Sequence, residues 1–267
     1  MTTNAKGTAL ITGASSGIGA IYADRLARRG YNLVLVSRNE ARMKAVAERV
    51  SRETGRSIGI LVADLGKAAD RERIETVLRT NADITMLVNN AGVGATAPLL
   101  GADLSAMNDM IALNVTALTH LTHAAAPGFV KRGGGTIINI ASIVAIAPEA
   151  LNGVYGGSKA FVLAFSQSLR HELSDKGVRV QVVLPGATAT DFWDIAGKPV
   201  SELPQKIVMS AEDMVDASLA GLDQGEFVTI PALPNKADWD TFEAARQALH
   251  PNLSHQDPAA RYGVKAS

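Results

Sequence analysis

Cysteine is absent from all 267 residues. Disulfides and thiolate chemistry are therefore excluded, and the chain is compatible with a reducing compartment. An excess of charge of one sign is also lacking, since 26 Lys and Arg balance 26 Asp and Glu. Nucleic acids and anionic membrane surfaces are recruited by a basic excess or patch, so neither is an expected partner. The longest apolar runs fall well short of the ~20 residues that span a bilayer. Residues 1–7 are polar and lack the charged-plus-apolar pattern of a signal peptide. A soluble cytoplasmic protein is expected. There are no internal repeats or low-complexity tracts, and no obvious linker before residue 232. With 47% hydrophobic and 19% charged residues, the chain suits one globular domain over 1–267, with a C-terminal extension at about 232–267.

What is present alternates. Short apolar runs at 9–11, 33–36, 58–63, 86–88, 136–140, 179–184 and 227–230 are mostly continuous, as in strands buried on both faces. Between them lie helical patterns at about 17–29, 40–53, 68–79, 103–126, 154–176 and 211–222. This β-α order implies an α/β fold with a parallel sheet, right-handed crossovers and helices on both faces. Ser210 is placed to cap the helix that follows it, and Pro127 is expected to end or bend the long helix before it. A further helix is expected near 235–249, with a polar tail from Pro251.

Thr12-Gly13-Ala14-Ser15-Ser16-Gly17-Ile18-Gly19 joins the first strand to the first helix. Such a turn lets backbone N–H groups approach a diphosphate, and the helix N-terminus adds its positive dipole end. The spacing is G-x-x-x-G-x-G rather than the usual G-x-G-x-x-G, so the turn alone leaves an ordinary Gly-rich loop open. Downstream, Asn89-Asn90-Ala91-Gly92 closes the fourth strand and Asn114 sits in a helix. Asn139-Ile140-Ala141-Ser142 closes the fifth strand, Tyr155-Gly156-Gly157-Ser158-Lys159 opens a helix, and Pro185-Gly186 follows the sixth strand. In this order and spacing the chain resembles the short-chain dehydrogenase/reductase family, from about Gly7 to Pro231.

The resemblance implies a doubly wound Rossmann-type sheet of about seven strands in the order 3-2-1-4-5-6-7. It also implies an enzyme that interconverts an alcohol and a carbonyl by hydride transfer with a nicotinamide cofactor. Gly13, Ser15, Ser16, Gly17, Ile18 and Gly19 would then face the diphosphate. Asp64 and Leu65 would cradle the adenine, although a turn or capping role for Asp64 stays open. Asn90, Ala91 and Gly92 would shape the cofactor-side loops, and Pro185, Gly186, Thr188 and Thr190 would face the nicotinamide. Strand two ends at Val36-Ser37-Arg38 without a carboxylate. Arg38 offers a planar fork suited to a 2′-phosphate, with Ser37 beside it, so NADP(H) is expected to be preferred over NAD(H). Arg38 read alone is equally a solvated loop charge, and the basic residue that some subfamilies place inside the glycine turn has no counterpart here.

A tyrosine, with a free pKa of about 10, serves as acid or base when a neighbouring ammonium stabilises its phenolate. Tyr155 and Lys159 lie one helical turn apart on one face. The resemblance makes Tyr155 the general acid/base and gives Lys159 two tasks, lowering the tyrosine's pKa and binding the nicotinamide ribose. Ser142 would position the substrate oxygen, and Asn114 would hold a relay water; a plain helix asparagine is the alternative for Asn114. His120 and His123 lack a completing carboxylate or Cys, so no metal is expected. Asp191, Asp194, Glu202 and Glu212 are scattered acids rather than a paired site. Residues 94–100, 143–153 and 188–208, with Val144, Ala145, Ala147, Leu151, Phe192 and Trp193, are the expected substrate pocket. Their lack of fixed charge favours a small apolar or moderately polar carbonyl or alcohol. The long helices at 103–126 and 154–173 resemble those that pair across a two-fold axis in this family, so a homodimer or homotetramer is expected. The alternatives are an inactive cofactor-binding regulatory protein and a related sugar-nucleotide epimerase. Intact Ser142, Tyr155 and Lys159 weigh against the first, and the short C-terminal segment against the second.

Overall fold

The structure is a computed structural model that describes residues 6–264. Seven parallel strands form one sheet in the order β3-β2-β1-β4-β5-β6-β7. The strands are β1 Thr8–Thr12, β2 Asn32–Ser37, β3 Ile58–Val62, β4 Ile84–Asn89, β5 Gly135–Ile140, β6 Val178–Val183 and β7 Val228–Thr229. The helices are α1 Gly17–Arg28, α2 Glu40–Thr54, α3 Ala68–Thr80, α4 Leu104–Ile111, α5 Leu118–Lys131, α6 Gly153–Leu173, α7 Phe192–Ile195, α8 Ala211–Asp223 and α9 Lys236–Ala248. The strand order reverses between β1 and β4, and ligands of such sheets bind at the carboxyl ends of the strands there.

Alternate residues of each central strand feed different cores. Ala9, Ile11, Met86, Val88, Ile138 and Ile140 pack with Tyr22 and Leu26 of α1, Met43 of α2 and Met214 and Leu219 of α8. Leu10, Leu87 and Ile137 pack on the opposite face with Ile74 of α3, Leu121 and Phe129 of α5 and Leu169 of α6. Polar groups tie the helices together at one place in particular. Asp24 on α1 is 3% exposed, and its carboxylate accepts from Arg25 at 2.7 Å, Arg28 at 3.0 Å and Arg49 of α2 at 3.1 Å. Arg25 also donates to Asp216 of α8 at 2.7 Å, so one buried carboxylate clamps α1 to α2 and, through Arg25, to α8.

The long fourth helical stretch departs from expectation. Asp103 caps it by accepting from the N–H groups of Ser105 and Ala106, and one π-helical turn at Ala112–Ala117 separates α4 from α5. Pro127 does not end the helix, which runs on to Lys131. His123, whose carbonyl loses its helical donor there, and Pro127 itself are both on the exposed side, where the carbonyl is open to solvent. Phe129, 1% exposed, keeps the following turn anchored in the core. Ser210 caps α8 as expected, accepting from the N–H of Asp213 at 3.0 Å.

The chain divides into two compact units, Met1–Pro231 and Ala232–Ser267. The second contains α9, none of whose residues is buried. It carries the rings of Trp239 and Phe242, 5.3 Å apart with their planes tilted by 37°, and an Arg246–Glu243 ion pair. Among the described residues no helix is long and apolar enough to cross a membrane.

Candidate active site

The glycine turn folds because β1, β2 and β4 end side by side around it. Gly13 donates from its N–H to the carbonyl of Val36 at 2.8 Å. It has φ +66°, and a Cβ there would lie 2.8 Å from the Asn90 amide nitrogen. Gly17 also has positive φ, +51°, a conformation that L side chains rarely adopt. A Cβ on Gly19 would run into the carbonyl of Gly13, so the helix start can pack this tightly on the turn only without a side chain. The residue before α1, Ser16, makes no side-chain cap, and the first turn of α1 has no acidic residue. A nicotinamide dinucleotide fits this donor set. The bare helix start offers N–H groups and a positive dipole to an anion, and the missing side chains leave the backbone approachable.

The neighbouring loops are locked to the turn. Asn90 donates its side-chain amide to the carbonyls of Thr12 at 2.8 Å and Gly13 at 3.3 Å. The backbone N–H groups of Asn90 and Ala91 both donate to the Thr12 hydroxyl at 2.9 Å. Ser37 donates to the Ser15 hydroxyl at 2.9 Å, joining the end of β2 to the turn. Ile18 packs its side chain on the core. Asp64 accepts from the N–H of Gly66 at 3.1 Å, the turn-forming role that its residue type allows. Leu65, 4% exposed, is a core residue, so only its backbone can line an open cleft. Arg38 is exposed and forms no ion pair or side-chain hydrogen bond among the described residues. Arg42, one turn into α2, is instead paired with Asp191 at 2.8 Å.

Ser142, Tyr155, Lys159 and Asn114 converge at the end of β5. Asn152 caps α6 by accepting from the N–H groups of Val154 and Tyr155, which fixes where the tyrosine leaves the helix. Tyr155 is 5% exposed and Lys159 6%. The Lys159 ammonium lies 5.8 Å from the centre of the tyrosine ring and donates to the carbonyl of Ile140 at 2.9 Å. Asn114 lies within the π turn and faces inward. Its amide donates to the carbonyl of Val93 at 2.8 Å and to the Ser158 hydroxyl at 3.1 Å, and its oxygen accepts from the N–H of Val93 at 3.0 Å. Gly92 sits between the two: a Cβ there would be 3.1 Å from the Asn114 side-chain oxygen and 3.4 Å from the Lys159 ammonium. Ser142 donates to the carbonyl of Pro185 at 3.4 Å. Thr190 lies over the glycine turn, its methyl 3.1 Å from where a Gly17 Cβ would be. Thr188 is buried and its carbonyl accepts from the indole of Trp193 at 3.0 Å, while a Cβ on Gly186 would meet open space.

Burial dominates the electrostatics. It pushes Tyr155 up to about 12, against the opposing hydrogen bond from Ser142, and pulls Lys159 down to about 8. In the free protein the tyrosine thus moves in the direction opposite to the one expected from its lysine neighbour. Desolvation of the phenolate is the largest effect, and one of the three Lys159 N–H donors goes to the Ile140 carbonyl. His120 pairs with Glu75 at 2.9 Å.

Three comparisons with known proteins show the family. Residues 7–199 match the family profile described as short chain dehydrogenase. The chain belongs to the short-chain dehydrogenase family. A short-chain dehydrogenase from Sphingobium yanoikuyae, solved in complex with NADPH, is similar with 47% identity and a TM-score of 0.93, over 96% of this chain and 100% of that one. The bulky-bulky ketone specific alcohol dehydrogenase from Comamonas testosteroni, in its orthorhombic crystal form, is similar with 43% identity and a TM-score of 0.89, over 97% and 99% of the two chains. The human 17-beta-hydroxysteroid dehydrogenase type 3 is 39% identical over 79% of this chain, which spans 66% of that relative, a little under two thirds of its length. Membership makes the protein an oxidoreductase of the short-chain dehydrogenase type.

Three residues of this short-chain dehydrogenase site escaped the reading of its sequence. Thr12 is the hydroxyl hub for two N–H groups of the β4 loop. Ser158 links Asn114 to the backbone of α6, donating to the carbonyl of Tyr155 at 2.8 Å. Asn152 also donates to the carbonyl of Ala97 at 2.6 Å. Only Asn152 left a signal, a capping residue type directly before a helix that opens with the tyrosine.

Proposed function

We propose that this protein reversibly interconverts a ketone and a secondary alcohol with NADP(H) as the preferred cofactor, using Tyr155 as the proton donor and acceptor. The observation that carries this reading is the convergence of Tyr155, Lys159, Ser142 and Asn114 at the strand ends beside a bare helix start. A bound nicotinamide would supply or take up the hydride. The glycine turn from Gly13 to Gly19 and the start of α1 would hold its diphosphate. Arg38 would pair with the 2′-phosphate, and the loop from Pro185 to Thr190 would border the nicotinamide. Arg38 is supported in that role because it has no competing partner among the described residues, whereas Arg42 is committed to Asp191. Phosphate recognition suits a guanidinium, and no carboxylate at Ser37 repels it.

In the reducing direction Ser142 donates a hydrogen bond to the substrate oxygen and holds it beside Tyr155. Tyr155 then gives its phenolic proton to the developing alkoxide. With its pKa raised to about 12 by burial, the phenol is protonated at neutral pH and ready to act as the acid. Lys159, brought near 8 by its own burial, is mostly charged at pH 7 and favours the phenolate once the proton has left. Asn114, clamped between Val93 and Ser158, fixes the space behind Lys159 through which the proton is replaced. The solved Comamonas relative, named for bulky-bulky ketones, supports a ketone with bulky substituents.

The test is NADPH oxidation with a panel of apolar ketones. Tyr155→Phe keeps the ring and removes the proton, so turnover should fall by about 10² to 10⁴ while NADPH affinity holds. A variant that turns over normally would remove Tyr155 from the reaction. A wild-type protein that binds NADPH but reduces no ketone would favour a binding protein over an enzyme of this class.

A further inference from the structure

Phe192 is the aromatic residue at the reacting tyrosine that the mechanism above does not use. It opens α7, the short helix after the Pro185-Gly186 loop, and its ring centre lies 5.6 Å from that of Tyr155 with the planes tilted by 45°. On its other side it meets the Trp193 ring edge-on, at 5.6 Å and 88°. The ring points into the backbone of Gly94. A Cβ built on that glycine would collide with its tip and lie 2.8 Å from a second ring carbon, Cε2. Gly94 does not have positive φ, so its backbone does not demand a glycine. The ring does.

The supports of this contact are firm at both ends. The indole of Trp193 is tied to the carbonyl of Thr188 at 3.0 Å. The carbonyl of Ala196 accepts from the N–H of Thr96 at 3.1 Å and from its hydroxyl at 2.9 Å. The segment carrying Gly94 and the segment carrying Phe192 are therefore bolted to each other just beyond the contact. The ring packs against the buried cluster of Met110, Val144 and Tyr155, which Leu151 and Val154 also pack against. Phe192 itself is only half-buried, which leaves part of the ring free to meet a ligand.

We infer that the Phe192 ring, seated in the space left by the missing Gly94 side chain, is the specificity-determining wall of the substrate site and selects ketones that carry an aromatic ring beside the carbonyl. The inference rests on the proposed ketone reduction for the identity of the reacting group. Its own content is the aromatic preference and the dependence of that preference on Gly94. An edge or offset contact between aromatic rings contributes beyond area burial, whereas a saturated ring of the same size gains only the burial. Any side chain at position 94 pushes the Phe192 ring toward Tyr155 and into the space a substituent would use.

The experiment compares acetophenone with cyclohexyl methyl ketone, two ligands of similar size of which one is aromatic. Binding in the presence of NADPH is read by quenching of Trp193, with Trp239→Phe as the background that leaves one indole. Turnover is read separately by NADPH oxidation. The protein should bind acetophenone more tightly, and Phe192→Leu, which keeps bulk without the ring, should erase that advantage, a change of roughly 2- to 12-fold. Gly94→Ala should erase it too, and adding Gly94→Ala to Phe192→Leu should change the ratio no further, because the glycine acts only through the ring. Melting curves establish that each variant is folded, and Phe192→Tyr, which keeps the ring, should restore the preference. An unchanged ratio in Phe192→Leu, or additive effects of the two substitutions, overturns the inference. Aromatic selectivity in binding without any ketone turnover would instead uphold this wall and refute the proposed reaction.

Discussion

Lys159 shows how a single residue can be chosen against stability. Its ammonium is buried and donates to the carbonyl of Ile140 at 2.9 Å, and burial pulls its pKa down to about 8 from 10.5. In the unfolded chain the same amine binds its proton more tightly. Between about pH 8 and 10.5 the unfolded state therefore holds more protons, and stability rises with pH across that window. At pH 7 the folded protein bears nearly the full cost of the buried charge, on the order of 3 kcal/mol. Lys159→Met keeps the stem and removes the charge, at the loss of one hydrogen bond worth about 1 kcal/mol. The variant should be more stable than the wild type by about 1–2 kcal/mol at pH 7 and should lose that advantage by about pH 10, while turnover collapses. Calorimetric melting at the two pH values is the check, and a variant that melts lower at pH 7 would mean that the site accommodates the ammonium without cost. Residues of this kind are legible in sequence when a fixed spacing carries them, as Tyr155 and Lys159 are carried by one helical turn. Thr12 and Ser158 are not, because each acts through a hydrogen bond to a loop or helix far away in sequence, and a lone hydroxyl next to a motif says nothing of its partner. The direction of the Tyr155 shift was hidden for the same reason: burial, not the neighbouring lysine, decides it.

At the scale of elements, the strands were read well because continuous apolar runs have few other uses. The π turn at Ala112–Ala117 was not, since one residue of extra helix leaves the apolar pattern on either side intact. Of the two effects expected of Pro127, an end to the helix does not occur, because an exposed proline can leave its orphaned carbonyl to water. The clamp on Asp24 was equally invisible, being made by arginines on two helices. Its energetics can be tested through acid. Burial alone would raise the pKa of this carboxyl, but hydrogen bonds from Arg28, Arg25 and Arg49 outweigh it and hold the group at about 2, below its ordinary 3.8. A depressed folded pKa gives stability that is complete above about pH 4 and is lost as pH falls through about 2. The contribution is on the order of 1–2 kcal/mol after allowance for the exposed ends of the arginines. Asp24→Asn should lower the urea midpoint at pH 7, and the gap to the wild type should narrow steadily below pH 4. A gap that stays constant down to pH 2 would assign the loss to packing rather than to the charge.

The whole first unit reports on what its strand ends bind, because β1, β2 and β4 meet at the glycine turn and unfold with the rest of the sheet. A ligand that binds only the folded state adds about 2.7 kcal/mol at a concentration one hundred times its dissociation constant. In a chain of this size that is a rise in melting temperature of roughly 5–10 °C. The proposed preference for NADP(H) then becomes a difference between two melting curves. Arg38 is exposed and has no partner among the described residues, so replacing it with Leu should leave the unliganded melting temperature almost unchanged. In the complex it would remove a charge-assisted contact worth about 1.5–3 kcal/mol, and each 1.4 kcal/mol is about tenfold in affinity. NADPH should therefore stabilise the wild type by several degrees more than NADH at equal concentration, and Arg38→Leu should bring the two curves together. Adding Ser37→Asp introduces a carboxylate that repels the 2′-phosphate and accepts from ribose hydroxyls, so the double variant should melt higher with NADH than with NADPH. Salt should weaken the wild-type preference, since the contact lies at the surface. Equal stabilisation of the wild type by both cofactors, or an Arg38→Leu variant that keeps its preference for NADPH, would place phosphate recognition elsewhere, with Arg42 released from Asp191 as the next guanidinium to test.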